Sequence, residues 1–208
     1  MLLVNQLDHI LGQTSKIRIL RFLIATDPEL NGREIAAAVG LSHVQCHAAL
    51  KELNQHGVIE MRRSGKSILY RLNLQNMLLQ RMVMPLFEKE AQLKNILKEI
   101  ISKCLKKPAP QSVILFGSFA SGKAKPHSDL DVLIVASRKE DIPLLTEGLG
   151  RAEIHITTGF GNHLSPIVMD GREFRERFKN KDKLVRNIVH EGKVLLGDSM
   201  NDLIISND

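Results

Sequence analysis

The sequence contains no tryptophan, and aromatic residues make up only 4% of its 208 residues. Proteins that hold single-stranded nucleic acid stack the bases on aromatic side chains. The scarcity therefore argues against such a role and leaves duplex grooves and phosphates as the better target. The two cysteines, Cys46 and Cys104, show no CxxC spacing. No disulfide framework is expected, and both thiols should be reduced.

Long hydrophobic runs are also missing. The run Val132 to Ala136 is far shorter than the roughly 20 residues that cross a bilayer. The N-terminus lacks a basic segment followed by an apolar segment and a cleavage site. We therefore expect a soluble, cytoplasmic protein. Hydrophobic residues make up 43% of the chain, which suffices for ordinary packed cores.

Positive charge is concentrated in the first half of the chain, whose total net charge is +6. Residues 1–74 contain nine Lys and Arg against six Asp and Glu, and residues 75–108 contain seven against three. Residues 109–208 contain thirteen against fourteen. A polyanionic partner should therefore meet the N-terminal half.

Residues 12–74 show the pattern of three short helices and a β-hairpin. Apolar residues recur at helical spacing in "SKIRILRFLIA", "NGREIAAAVG" and "LSHVQCHAALKELNQHG". The segment "VIEMRRSGKSILYRL" alternates instead, which predicts two paired strands. The expected caps, helix ends and hairpin turn are Ser15, Asn31, Gly40, Ser42, Gly57 and Ser64-Gly65.

This order of elements resembles the winged helix-turn-helix of bacterial and archaeal repressors. In that family the helix after the tight turn enters the major groove, and the hairpin wing touches phosphate or the minor groove. The resemblance implies double-stranded DNA as a partner. The contacts it implies are His43, Gln45, His47 and Lys51 on the third helix and Arg62, Arg63 and Lys66 on the wing.

Three other interpretations of this segment remain open. The cations of the hairpin could be an ordinary solvated tip. His43, Cys46 and His47 stand at i, i+3 and i+4, a spacing that could bind zinc, although the helix also needs Cys46 in its core. The helix-turn-helix could also serve dimerisation alone.

Residues 75–106 predict a long helix with an apolar stripe, which Pro85 kinks or divides. A helix of this kind after a winged domain commonly pairs with its twin, so we expect a homodimer. The segment "KKPAP" then breaks the helix. We place the domain boundary between Leu105 and Gln111.

A second functional pattern lies in "SVILFGSFASGKAKPHSDLDVLIV". A buried strand precedes Gly117-Ser118, where a helix begins whose free N–H groups suit phosphate oxygens. After ten intervening residues, Asp129 and Asp131 stand two apart at the start of an apolar strand, so both carboxylates share one face. Buried carboxylates are costly without a cation. Mg²⁺ carrying a nucleoside triphosphate would supply it.

The spacing Gly-Ser, ten residues, Asp-x-Asp resembles the signature of the DNA polymerase β-like nucleotidyltransferase superfamily, in particular its minimal nucleotidyltransferases. The resemblance covers about residues 109–200. It implies that Asp129 and Asp131 are catalytic and bind two Mg²⁺ ions, which align the α-phosphate for in-line attack and release of pyrophosphate. The nucleotide-binding residues it implies are Gly117, Ser118, Lys123 and Ser128.

The family pattern also includes a third carboxylate on a neighbouring strand. The strand expected to carry it is "HLSPIVM", residues 163–169, and the matching position is Ser165. The nearest acids are Glu153 before the strand and Asp170 at its end, and neither occupies the matching position.

The expected fold is α/β with two domains. A winged helix-turn-helix of three helices and a hairpin spans residues 1–74, and connecting, dimerising helices span 75–108. An α+β nucleotidyltransferase domain with a small mixed sheet spans 109–200, and a tail spans 201–208. Within the third segment we expect helices in "EDIPLLTEGLGRAEIHIT", "GREFRERF" and "DKLVRNIVHEG" and a closing strand in "KVLLG". The segment "EIHIT" could instead be a strand.

Three functions fit these patterns. The first is a DNA-binding enzyme that transfers a nucleoside monophosphate, AMP from ATP, to a hydroxyl acceptor, such as a partner protein in an antitoxin-like role. The second is a transcriptional regulator whose nucleotidyltransferase-like domain binds nucleotide without catalysis. The third, nucleotidylation of an antibiotic, does not explain a DNA-binding domain.

Overall fold

The structure, a computed structural model, describes residues 5–205. The chain divides into two compact units, residues 1–92 and 93–208. The division falls inside helix α5 (Met84–Cys104), within the segment 75–108 that was expected to connect the domains.

The first unit is a winged helix-turn-helix, as predicted. Its three-stranded antiparallel sheet has the order β1-β3-β2, and the β2–β3 hairpin turns at Gly65-Lys66. Helix α1 and strand β1 were not predicted. The elements are α1 (Gln6–Leu11), α2 (Thr14–Thr26), β1 (Leu30–Asn31), α3 (Gly32–Val39), α4 (His43–Gln55), β2 (Ile59–Ser64) and β3 (Ser67–Leu72).

Side-chain caps explain where two of these helices begin. The side chains of Asn31 and Ser42 each accept a hydrogen bond from the backbone N–H three residues further on, in Glu34 and Gln45. The side chains of Glu34 and Gln45 in turn accept from the backbone N–H groups of Asn31 and Ser42. Both helices therefore open with a capping box. The predicted Ser15 cap is wrong, because α2 already begins at Thr14.

The core of this unit contains the predicted apolar face of α4 and one buried cation. Cys46, Leu50 and Leu53 are fully buried or nearly so. Lys16, on α2, is 3% exposed, pairs with Glu52 and donates to the His9 carbonyl oxygen at 2.6 Å. The buried charge is therefore compensated.

The helical segment after the wing changes its hydrogen-bond pattern next to Pro85, where a kink or a division was predicted. One π-helical turn (Leu79–Val83) precedes the regular helix α5, whose second residue is Pro85. Proline lacks the N–H that would continue the i→i−4 ladder. The wider hydrogen bond from Met84 N–H to the Leu79 carbonyl bridges this point.

The second unit is built on a small mixed sheet of order β6-β5-β4-β7. Strands β5 and β6 are parallel, and β4 is antiparallel to both of its neighbours. The segment "EIHIT" is helical. The elements are β4 (Ser112–Leu115), α6 (Gly117–Ala120), β5 (Leu130–Ala136), α7 (Ile142–Phe160), β6 (Leu164–Asp170), α8 (Gly171–Lys179), α9 (Lys183–Glu191), β7 (Lys193–Gly197) and α10 (Met200–Ile205).

The sheet is covered on both faces. Leu130, Val132 and Ile134 of β5 pack in one buried cluster with residues of α7. Leu133 and Val135 point the other way and pack with residues of α8, α9 and α10. Helix α10, with Leu203 fully buried, lies where a tail was expected. Among residues 5–205, no helix is long and apolar enough to span a bilayer.

Candidate active site

The predicted Gly117 and Asp131 meet at the end of the central strand β4. The Phe116 N–H donates to the Asp131 carbonyl oxygen at 2.9 Å, which carries the β4–β5 pairing up to the turn. Gly117 has φ +67°, and a Cβ there would lie 2.1 Å from Asp131 Oδ2. Glycine therefore suits this position both for its backbone conformation and for its close approach to the carboxylate.

The turn continues into α6, a single helical turn. Ser118, its second residue, is half-buried. Ser121 closes the turn, since its hydroxyl donates to the Gly117 carbonyl oxygen at 3.0 Å. The Lys123 N–H donates to the Ser118 carbonyl oxygen at 2.9 Å, and the loop that leads to β5 begins there.

The loop before β5 is exposed but internally bonded. Lys123 and Lys125 are exposed. The Ser128 hydroxyl, predicted to bind nucleotide, accepts a hydrogen bond from the Lys125 N–H at 2.9 Å, and the Ser128 N–H donates to the Lys125 carbonyl. Ser128 therefore shapes the loop as well as lying next to Asp129.

The two aspartates differ in environment, and the expectation that both are buried is wrong. Asp131 is half-buried, whereas Asp129 precedes the first residue of β5 and is exposed. Burial first, and then the charge of Asp129, raises the pKa of the Asp131 carboxyl. The half-buried Asp131 carboxyl is therefore the one of the pair that gains most from a compensating cation.

The carboxylates of Asp129 and Asp131 are a donor set that suits magnesium. Mg²⁺ is commonly held by one or two carboxylates together with substrate phosphates and water. A cation at this pair would offset both the burial of the Asp131 carboxylate and its repulsion from Asp129, the two causes that raise the pKa of Asp131. In the part of the chain that the structure describes, no cluster of three or more His, Cys, Asp or Glu side chains could hold a metal.

The neighbouring strand places Ser165 directly opposite Asp131 in the parallel β5–β6 register. Asp170 pairs with Ala136, five residues further along the strands, which is about 17 Å at roughly 3.3 Å per residue. It also caps α8 by accepting from the Glu173 N–H. Asp170 therefore cannot replace the missing acid.

Glu153 does not replace it either. It lies on α7, which packs against the face of the sheet opposite to Asp131. Its carboxylate is 3.5 Å from His163 Nδ1.

Comparison with known proteins matches this unit to a family. The model described as "Nucleotidyltransferase domain" matches residues 93–196, half of the chain. The chain belongs to the nucleotidyltransferase domain family. A second model, "Winged helix-turn-helix DNA-binding", matches residues 13–60 of this nucleotidyltransferase.

One curated relative and two solved structures resemble this nucleotidyltransferase. The relative, from Methanocaldococcus jannaschii and named a "putative protein adenylyltransferase", is 31% identical over 112 residues, 51% of this chain and 73% of the relative. A homodimeric winged helix-turn-helix domain of a possible ArsR-family regulator from Mycobacterium bovis is 26% identical (43% of this chain, 82% of that chain, TM-score 0.35). A toxin-antitoxin crystal structure with AMP-PNP is 20% identical (52% and 81%, TM-score 0.35).

The predicted DNA-contacting residues of this nucleotidyltransferase are all exposed. His43 and His47 stack on the outer side of α4 with ring centroids 6.4 Å apart. Gln45 is engaged in the capping box. Lys51 lies on α4 one turn after His47. On the wing, Arg63 and Lys66 make no hydrogen bond or ion pair with any described residue.

Arg62 differs from the other wing cations because it already has an acidic partner. Its Nε and Nη2 donate to the two carboxylate oxygens of Glu29 at 2.9 and 2.8 Å. A phosphate would have to compete with Glu29 for this guanidinium.

The zinc interpretation of His43, Cys46 and His47 is wrong. Cys46 is fully buried, and its thiol donates to the Gly32 carbonyl at 3.5 Å. The two histidines lie on the exposed side of the helix, so the three side chains do not converge.

Sequence reasoning missed one residue beside the site. The Asn162 side-chain amide donates to the carbonyl oxygens of Pro126 and Ser128. These partners lie 36 and 34 residues away in sequence, and a local pattern carries no signal for such a bond.

Proposed function

We propose that the chain transfers AMP from ATP to a hydroxyl group of an acceptor protein. The observation that supports this most directly is the contact between Gly117 and the Asp131 carboxylate. It joins a phosphate-binding turn to a pair of metal-binding carboxylates. The acceptor class is proposed from the name of the relative from Methanocaldococcus jannaschii.

In this proposal the residues of the site divide the work of holding the nucleotide. The N–H groups at Gly117 and Ser118 bind phosphate oxygens, and Lys123 and Ser128 contact the nucleotide from the loop. Asp129 and Asp131 hold magnesium, which when bound neutralises the phosphates and polarises the α-phosphate. The acceptor oxygen forms a bond to the α-phosphorus, and pyrophosphate leaves.

The position opposite Asp131 holds Ser165 and not a carboxylate, so no acid there can take the proton of the acceptor hydroxyl. It therefore passes to water in this scheme. The same serine favours a second candidate function, in which the unit binds nucleotide without catalysis and regulates transcription through the winged helix.

We further propose that the first unit binds double-stranded DNA through α4 and the wing, and that the protein is a homodimer. The surplus of positive charge in residues 1–108 and the exposure of the predicted contacts support DNA binding. With an antitoxin-like role, DNA binding would let the protein regulate its own operon.

The enzymatic proposal is tested with ATP labelled at the α-phosphate, Mg²⁺ and cell lysate. We expect label on a protein with the wild type and none with Asp129→Asn or Asp131→Asn. Asp198→Asn is the matched control, because Asp198 bonds Gln111 at the other end of β4. If Mg²⁺-dependent ATP binding is measured but no acceptor is labelled, the second candidate replaces the first.

A further inference from the structure

The Asp129 carboxylate is held in place only through its backbone. It is exposed, and within residues 5–205 no hydrogen bond or ion pair fixes it. A carboxylate without such support loses rotational freedom when it binds a metal. Its usefulness therefore depends on how firmly the neighbouring backbone is fixed.

Asn162 fixes the backbone on one side of Asp129. Its Nδ2 donates one hydrogen bond to the Ser128 carbonyl oxygen at 2.9 Å and another to the Pro126 carbonyl oxygen at 3.0 Å. Both hydrogens of the amide are used, and the two carbonyls belong to the last turn of the loop before Asp129.

The start of β6 fixes the other side. The Leu130 N–H donates to the His163 carbonyl oxygen at 2.8 Å, the first bond of the β5–β6 pairing. Asp129 thus lies between Ser128, which is bonded to Asn162, and Leu130, which is bonded to His163. Without Asn162, the loop would be joined to β6 on one side of Asp129 only.

Asn162 is itself anchored by the end of α7. Gly161 takes the left-handed conformation with φ +75° and ends the helix through its N–H bond to the Thr157 carbonyl. The Thr157 hydroxyl also donates to the Asn162 carbonyl at 3.3 Å. The bonds from Asn162 therefore connect the loop to the end of a 19-residue helix rather than to another loop.

We propose that Asn162 is a positioning residue of the nucleotidyltransferase site: its two hydrogen bonds hold the Asp129 carboxylate beside Asp131 for metal binding. This inference rests on the proposed function, because it takes the two aspartates as the metal ligands. A terminal amide suits this role, since its single nitrogen can donate to two carbonyls without bringing a charge.

The test uses Mn²⁺ as the probe, titrated into the full chain with a non-hydrolysable ATP analogue and followed by the EPR signal of free Mn²⁺. Asn162→Ala removes both bonds. Asn162→Asp keeps the size of the side chain but offers oxygens that cannot donate at neutral pH. We expect both variants to bind Mn²⁺ about 10- to 100-fold more weakly, the range for residues that orient metal ligands.

Three further measurements separate positioning from a general loss of stability. Asn54→Ala removes a comparable bond in the other unit, to the Ile59 carbonyl at 3.0 Å, and should leave Mn²⁺ affinity unchanged. In an Asp129→Ala background, Asn162→Ala should weaken Mn²⁺ binding less than twofold, because the ligand it positions is gone. Hydrogen exchange at the Leu130 amide should be faster in both Asn162 variants.

The outcomes distinguish the two proposals. If the wild type binds no Mn²⁺, or binds it equally well without Asp129 and Asp131, the proposed function fails. If the wild type binds Mn²⁺ through the aspartates but both folded Asn162 variants bind it within twofold, the inference fails. Equal losses with and without Asp129 would also overturn it, because they would make Asn162 a structural residue only.

Discussion

At the scale of single residues, Gly117 is subject to two constraints, a left-handed backbone and a close carboxylate, which a matched pair of glycine substitutions can separate. Gly117→Ala forces a left-handed backbone, at a cost of about 1–3 kcal/mol, and places a methyl group 2.1 Å from Asp131 Oδ2. We expect a destabilised protein that has also lost Mn²⁺ binding, measured by urea unfolding and by EPR titration.

Gly122→Ala is the matched control for this prediction. Gly122 has a similar φ of +73°, but a Cβ there would meet nothing within 4 Å. This variant should show the backbone cost alone and keep Mn²⁺ affinity. Equal Mn²⁺ binding by the two variants would mean that the contact with Asp131 does not shape the site.

Asp131 should make the metal-free protein less stable at neutral pH. Its pKa is raised in the folded state, so the native protein binds this proton more tightly than the unfolded chain does. The free energy of unfolding therefore falls as pH rises through the window above the ordinary value of 3.8. Asp131→Asn should be more stable than wild type at pH 7 in EDTA, with an advantage that vanishes below that window.

Urea unfolding at several pH values tests this sign. Asp198→Asn, an exposed carboxylate of the same unit, serves as the comparison. A loss of stability on Asp131→Asn at pH 7 would show that the carboxylate makes a favourable interaction which outweighs its burial.

The residues of the site differ in how visible they are in the sequence. Gly117, Ser118, Asp129 and Asp131 lie within 15 residues, so a turn, a spacing and one strand revealed them. The position opposite Asp131 followed from the family pattern, and the β5–β6 register places Ser165 there. Asn162 could not be found this way, because its role depends on carbonyls brought to it by the tertiary fold.

At the scale of elements, the wing carries cations of two kinds. Arg63 and Lys66 have no acidic partner among the described residues, whereas Arg62 is held by Glu29. Replacing Arg63 and Lys66 by Ala should weaken duplex binding and reduce the slope of log K against log salt by about 2, since each phosphate contact contributes roughly 0.9. Fluorescence anisotropy over a range of salt concentrations measures both. An unchanged slope would mean that these two side chains do not contact phosphates.

Glu29→Gln should have the opposite effect. It releases Arg62 from a bidentate pair and removes the negative charge that neutralises this wing cation, so duplex affinity should rise several-fold at low salt. Glu60→Gln is the control, because it releases Arg71 from a similar pair on the same sheet. Equal gains from the two variants would indicate a general charge effect rather than competition for Arg62.

The elements that sequence reasoning found are those with a repeating pattern or a strong cap. Helices α3 and α4 have capping boxes, and α7 has an apolar face of several turns. Helices α1 and α10 have six residues each and β1 has two, too few to show a period. Tertiary packing around Ile10 and Leu203 fixes the two short helices instead.

At the scale of the whole molecule, the homodimer proposal can be tested on α5. Leu93 and Ile96 are 47% and 42% exposed on this helix, within the segment expected to pair with its twin. Leu93→Lys with Ile96→Lys should convert a dimer to a monomer, because buried lysines oppose association. Leu144→Lys, at a residue 55% exposed on α7, should not. Sedimentation equilibrium measures the mass, and a dimer that survives the double substitution excludes this face.

The central position of β4 has a consequence for synthesis of the chain. β4 pairs on one edge with β5, which follows it after the loop of the site. Its other edge pairs with β7, which is synthesised about 80 residues later. Until the ribosome has made Gly197, the buried residues Val113 and Ile114 lie on an unpaired strand edge. Such edges are prone to aggregation. The turn and the two aspartates can thus assemble early, while the nascent protein stays vulnerable until its last strand is added.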